Sequence, residues 1–279
     1  MLRTRIITAL VLLAVLLPVL FLGSPLAIIG LCAVFFAAAS WESLRLFGHR
    51  MIIPAAVVWT AIFIWLAYAG IQTQYLLVWM IAVLAWLVKF IPSLKLGLPA
   101  IESGSGRIYS VLYLLSILGT FLAIVVFQRE HSAAYLISVM AIVWVADVGA
   151  YFSGKAFGKR KLAPTISPGK SWEGAIGGWI CVLIIAAIST QLPIPADSFS
   201  ANLLRHGGWF GLGLILSLLT WASVAGDLVE SQLKRRAQVK DSSNLLPGHG
   251  GVLDRIDALI SVLPLAILIQ TIIEITSKS

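Results

Sequence analysis

Long apolar runs separated by short polar or glycine-proline links organise this chain from end to end. They fall at residues 6–22, 26–46, 52–70, 74–91, 108–127, 133–152, 172–192, 209–226 and 256–275. Each is about the length at which an α-helix crosses a hydrocarbon core roughly 30 Å thick. The runs are continuous rather than alternating, which predicts helices and not barrel strands, because a helix satisfies its backbone polar groups within the segment. The expected fold class is all-α, a polytopic integral membrane protein with about nine transmembrane helices. No soluble domain or internal repeat interrupts the pattern. The expectation is one membrane domain over 1–279, with 1–130 mainly scaffold and 131–275 carrying the functional helices and loops.

Composition agrees. The chain is 59% hydrophobic and 11% charged, with a mean hydropathy of +0.98, so too little polar surface remains to cover a soluble globule. Arg3 and Arg5 ahead of the first run imitate a secretory leader, but Phe21 and Leu22 replace the small residues of a cleavage site and Pro25 follows, which predicts an uncleaved first span. Cys32 and Cys181 sit far apart inside runs and read as packing residues. With nine spans and the N-terminus inside, 17 of the 20 Lys and Arg residues fall on the inner side, leaving Arg129, Arg205 and Lys278 outside. That asymmetry predicts a cytoplasmic N-terminus and an external C-terminus. The net charge of +8 is accounted for by attraction to anionic lipid and calls for no nucleic acid.

The acidic residues change the picture. Nine of the 12 (Glu42, Glu102, Asp147, Glu173, Asp227, Glu230, Asp241, Asp254 and Asp257) lie on or near the inner side, so something cationic is expected there. Asp147 lies inside its run, where a carboxylate is costly unless paired or facing a wet cavity; a nearby lysine suffices to explain it. If the eighth helix continues past its apolar run, Asp227, Glu230, Ser231 and Lys234 share one face at spacings of three and four. An ordinary amphipathic helix end gives the same pattern.

The segment "KDSSNLLPGHGGVLDRID", residues 240–257, is more specific. Pro247-Gly248 and Gly250-Gly251 permit tight turns whose amides can approach phosphate oxygens. Asp254 and Asp257 fall one turn apart where the last helix begins, a position that also favours carboxylates through the helix dipole. Lys234, Arg235, Lys240 and Arg255 add the positive charge that a polyphosphate bound to a metal needs. His249 fits three roles: general base, phosphate ligand or turn residue. A second His-Gly-Gly, His206 to Gly208, falls on the outer side with only Arg205 as charged company, so the flanking charges carry the signal. The inner loop "SGKAFGKRKLAPTISPGKSWEG" supplies glycines and lysines suited to anionic headgroups or nucleotide phosphates. It lacks a Walker A pattern, and a positive-inside anchor loop would look similar. Gly174 and Gly178 form a small-xxx-small pair suited to helix packing.

Residues 231–257, "SQLKRRAQVKDSSNLLPGHGGVLDRID", resemble the signature of the phosphatidate cytidylyltransferase family, also called CDP-diacylglycerol synthases. Ser231, Lys234, Arg235, Lys240, Asp241, His249, Gly250, Gly251, Asp254, Arg255 and Asp257 occupy the matching positions, and the likeness extends over roughly 140–260. The resemblance implies transfer of CMP from CTP to phosphatidic acid, giving CDP-diacylglycerol and pyrophosphate for phospholipid synthesis. It implies a multi-pass protein of the bacterial cytoplasmic (inner) membrane and a homodimer. Metal-ligand roles pass to Asp227 and Asp254, with Asp257 beside them, for Mg²⁺ and a second cation. On physical grounds Lys234, Lys240, Arg235 and Arg255 are expected to hold phosphates, and Ser167, Lys170 and Glu173 to contact substrate. A CTP-dependent lipid kinase would use the same nucleotide at the same surface, whereas a transporter would gather acidic residues near the midplane.

Overall fold

The computed structural model describes residues 2–70, 72–192 and 197–278, the side chains of 2–5, 72–74 and 278 excepted. The charges at Arg3, Arg5 and Lys278 and the link at Ile71 therefore lie outside the described residues. The apolar runs fold as helices: α1 Leu2–Leu22, α2 Pro25–Leu46, α3 Ile52–Ala69, α4 Gln72–Ala85, a π-helical turn Trp86–Phe90 leading into α5 Ile91–Leu96, α6 Gly104–Glu130, α7 Ala133–Phe157, α8 Trp172–Ser189, α9 Phe199–Arg236 and α10 Leu253–Lys278. Among the described residues eight spans are long and apolar enough to cross a membrane, and Ile6–Leu22 is a shorter apolar helix before them. Serines set several starts. Ser24, Ser103, Ser132, Ser171 and Ser198 each accept the amide three residues on, satisfying a donor that the helix leaves free.

α6 and α10 form the centre. α6 packs on α2 and α4, and α10 on α9, α6 and α4. Phe36 of α2 stacks on Phe63 of α3 at 4.8 Å and meets Phe121 of α6 edge-on at 5.5 Å. Beside this core α7 and α8 form a tight pair. A Cβ on Gly178 would lie 2.4 Å from the Ala146 carbonyl, so only glycine permits the approach and the packing role expected of the small-residue pair holds.

Two differences from the hydropathy reading bear on function. α7 runs on to Phe157 and α9 to Arg236, because a helix keeps its hydrogen bonds past the hydrocarbon edge whereas apolarity ends there. The inner loop after the sixth run and the segment between the eighth and ninth runs are correspondingly shorter than the runs imply. The rest of the first loop is an antiparallel hairpin, β1 Lys161–Ala163 with β2 Ser167–Ser171, too short and polar to register as strands. The second His-Gly-Gly, His206 to Gly208, has a structural role: Gly208 adopts φ 60° and breaks the helical path of α9.

Candidate active site

The site lies at the end of the bundle where most lysines and arginines gather, hereafter the basic end. Its framework begins with Glu42, a fully buried α2 residue. Its carboxylate accepts the Val252 amide at 3.0 Å, the Leu253 amide at 2.7 Å and the Ser242 hydroxyl at 3.2 Å, and also the Ser243 hydroxyl. A carboxylate thus occupies the amide-rich start of α10, where the helix dipole favours an anion. Asp254 is held as firmly. Its Oδ2 accepts the Ser242 amide at 2.8 Å, the Ser242 hydroxyl at 2.9 Å and the Gly251 amide at 2.8 Å, while Oδ1 takes Lys234 Nζ at 2.6 Å.

These contacts explain the glycines differently from the sequence. Gly250 has φ 82°, and a Cβ there would lie 2.7 Å from Asp254 Oδ2; a Cβ on Gly251 would lie 2.0 Å from Ser242 Oγ. The backbone at Gly251 to Leu253 faces the protein's own carboxylates, not an open anion site, because buried carboxylates need donors and these amides are the ones presented. Ser242, Ser243 and Glu42 are therefore framework residues that the motif does not announce.

α9 supplies the opposing ridge, and its continuation brings together the face expected from the spacing. Lys234, with 11% of its side chain exposed, bridges Asp254 and Glu230, which is fully buried. The Ser231 hydroxyl donates to Asp227 Oδ1 at 3.3 Å. Buried charges persist only when paired in this way. Lys234 is thus spent within the framework instead of facing phosphate. The helix end is fastened to the α5–α6 side, where Gln232 donates to the Ser93 carbonyl at 2.8 Å and Arg236 to the Pro99 carbonyl at 3.0 Å.

Next to this framework α7, the hairpin, α8 and α9 enclose a cavity of ≈ 410 Å³. Asp147, Lys155, Lys170 and Asp227 line it above small residues such as Ala146, Ala150, Gly174 and Gly178. Lys170 Nζ forms an ion pair with Asp227 Oδ2. Asp147 feels the charges of both Asp227 and Lys170, and so does Asp257 of α10. Two carboxylates, Asp147 and Asp227, and two ammoniums, Lys155 and Lys170, therefore line the cavity.

The other expected residues surround it. Ser167 lies in β2, paired with Ala163. Glu173 accepts the Lys159 and Arg160 amides, each at 3.1 Å, and so ties the base of the hairpin. Arg235 is exposed and bonds the Ile166 and Val239 carbonyls. Lys240 and Arg255 are exposed. The His249 amide closes a turn onto the Leu246 carbonyl at 2.8 Å, and its Nδ1 is buried without a hydrogen-bond partner.

Among the described residues no group of three or more His, Cys, Asp or Glu side chains forms a metal cage. Mg²⁺ does not need one, since it commonly takes one or two carboxylates and fills its shell with phosphate and water. Asp227 and Asp257 offer hard oxygen donors and suit such an open shell. Both oxygens of Asp227 are engaged too, but only by the Ser231 and Lys170 side chains, whereas Asp254 fits less directly because two backbone amides hold it as well as Ser242 Oγ and Lys234.

The structure is thus a helical membrane bundle with carboxylates and lysines lining a cavity at its basic end. The sequence matches the Cytidylyltransferase family over residues 3–273, and the chain belongs to that family. It is 38% identical to proteins named phosphatidate cytidylyltransferase from Haemophilus influenzae, over 95% of this chain and 96% of the relative, and from Pseudomonas aeruginosa, over 95% of each. A Bacillus subtilis protein of the same name is 44% identical over 48% of this chain and 46% of its own length.

Proposed function

We propose that this protein transfers CMP from CTP to phosphatidic acid in the membrane, releasing pyrophosphate and leaving CDP-diacylglycerol. A phosphate oxygen of the lipid attacks the α-phosphorus of CTP, and the bond from that phosphorus to the bridging oxygen of the leaving pyrophosphate breaks. The cavity carries the reading: it joins Lys155 and Lys170 to Asp227 at one end of an otherwise apolar bundle, in a chain related along 95% of its length to proteins of this name. Both reactants are anions. The protein's work is accordingly to bring them together and offset their charge, with little covalent chemistry of its own.

Asp227 and Asp257 would hold Mg²⁺, which would neutralise phosphate charge when bound. Lys155 and Lys170 take phosphate oxygens from the cavity wall, and Lys240, Arg235 and Arg255 extend the positive surface towards the nucleotide. Asp254 and Lys234 act by fixing the start of α10, and hence Asp257 one turn on. His249 and the glycines hold the turn, while Ser167 and Glu173 keep the hairpin that presents Lys170. The location that fits the charge asymmetry is the bacterial cytoplasmic membrane, with the basic end in the cytosol.

The test uses purified protein, phosphatidic acid, Mg²⁺ and CTP labelled at the α-phosphate. Labelled lipid is expected, with turnover lowered about 10²- to 10³-fold in Asp227→Ala and Asp254→Ala, the scale of losing one preorganised charged group. Transfer of a γ label alone would replace this reading with a lipid kinase.

A further inference from the structure

We infer that Lys170 is a tethered cation that holds the divalent-metal position at Asp227 until a nucleotide arrives, so that metal and nucleotide enter together. The inference rests on the reading above that Asp227 is a metal ligand. Lys170 is the cation paired with Asp227 in the structure, and both Asp147 and Asp257 feel its charge. Lys170 is thus the ammonium seated on the Asp227 carboxylate, at a cavity that Asp147 and Lys155 also line. Each partner of the pair is 28% exposed, so the pair stands at the cavity wall where incoming groups can reach it.

The backbone behind Lys170 is fixed. Lys161 pairs with Ser171, the Trp172 amide bonds the Arg160 carbonyl at 2.9 Å, and Glu173 clamps the Lys159 and Arg160 amides. Only the four-carbon stem is free to swing, and a lysine head, a compact ammonium with three rotatable donors, can change partner without a fixed geometry. A free divalent ion must displace this ammonium from Asp227 and set its own positive charge beside Lys170 and Lys155 in the same cavity. A nucleotide brings its own metal and presents phosphate oxygens, so the ammonium exchanges a carboxylate for a phosphate as the metal takes its place. Lys170 thereby disfavours metal alone and favours metal with nucleotide.

The experiment is Mn²⁺ binding read by electron paramagnetic resonance on the purified, lipid-free protein, with and without CTP and corrected for Mn²⁺–CTP in solution. Wild type is expected to bind free Mn²⁺ weakly and to bind it more tightly with CTP. Lys170→Met is expected to bind free Mn²⁺ about tenfold more tightly, the scale of removing one nearby unit charge from a partly wet site, and to gain little from CTP. Lys170→Arg should keep the weak free-metal binding. Thermal unfolding checks that each variant is folded, and Lys170→Gln substitutes for a Met variant that is not. Free Mn²⁺ bound no more tightly by folded Lys170→Met or Lys170→Gln than by wild type overturns the inference. A wild type that transfers no α label, or that needs no divalent metal, instead overturns the functional reading beneath it, and the two failures are seen in different assays.

Discussion

Glu42 shows how far a single side chain can govern a site it never touches. It accepts four donors from the segment that opens α10, so its loss leaves buried amides and hydroxyls without partners. Glu42→Ala is expected to destabilise the protein by about 3–5 kcal/mol, the cost of breaking a buried charged network, seen as a lower denaturation midpoint in detergent. Glu42→Gln, which keeps shape and one acceptor, should lose less. Asp227 and Lys234 on one face of α9, and Asp254 and Asp257 one turn apart in α10, were legible in the sequence from their spacing, whereas the contact of Lys234 with Asp254 was not. Glu42 was not, since its donors are up to 211 residues away and charge placement alone assigns it a side, not a partner. The same limit explains the glycines. Sequence shows that a turn is allowed but not which oxygens fill the space beside it.

At the scale of elements, the helices could be read from apolar runs because lipid demands unbroken backbone pairing, while the hairpin could not, since its pairing spans only a few polar residues. Both matter to the cavity. A leucine at Gly178 would push α7 and α8 apart where the backbones nearly touch; Gly178→Leu is expected to cost about 1–3 kcal/mol through overpacking and to lower turnover, checked by unfolding and labelled-lipid formation. Glu173→Ala acts on the other wall. Freed of its clamp on Lys159 and Arg160, the hairpin should present Lys170 less firmly, raising the KM for CTP while changing stability little, because the Arg160 side chain, the ion-pair partner of Glu173, is 84% exposed.

At the scale of the whole molecule, the charges divide the bundle into a basic end with the cavity and an opposite end held by neutral and weakly charged contacts, such as Tyr135, Asn202 and Gln270. Single cysteines introduced at Lys240 and at Arg205 in a background without Cys32 and Cys181 are expected to react with an impermeant thiol reagent from opposite membrane faces, with Lys240 on the cytosolic side. Equal labelling from one face would contradict the span count and the charge rule together. The bond between Glu42 and Leu253 also sets a clock on biosynthesis. At about 5–20 residues per second, α2 leaves the ribosome roughly 10 to 40 s before the amides that receive its carboxylate. Through that interval the Glu42 carboxylate lacks the donors that hold it in the finished fold. A chain cut short before α10 never gains the Val252 and Leu253 amides, so activity is expected to appear in one step when the last helix enters.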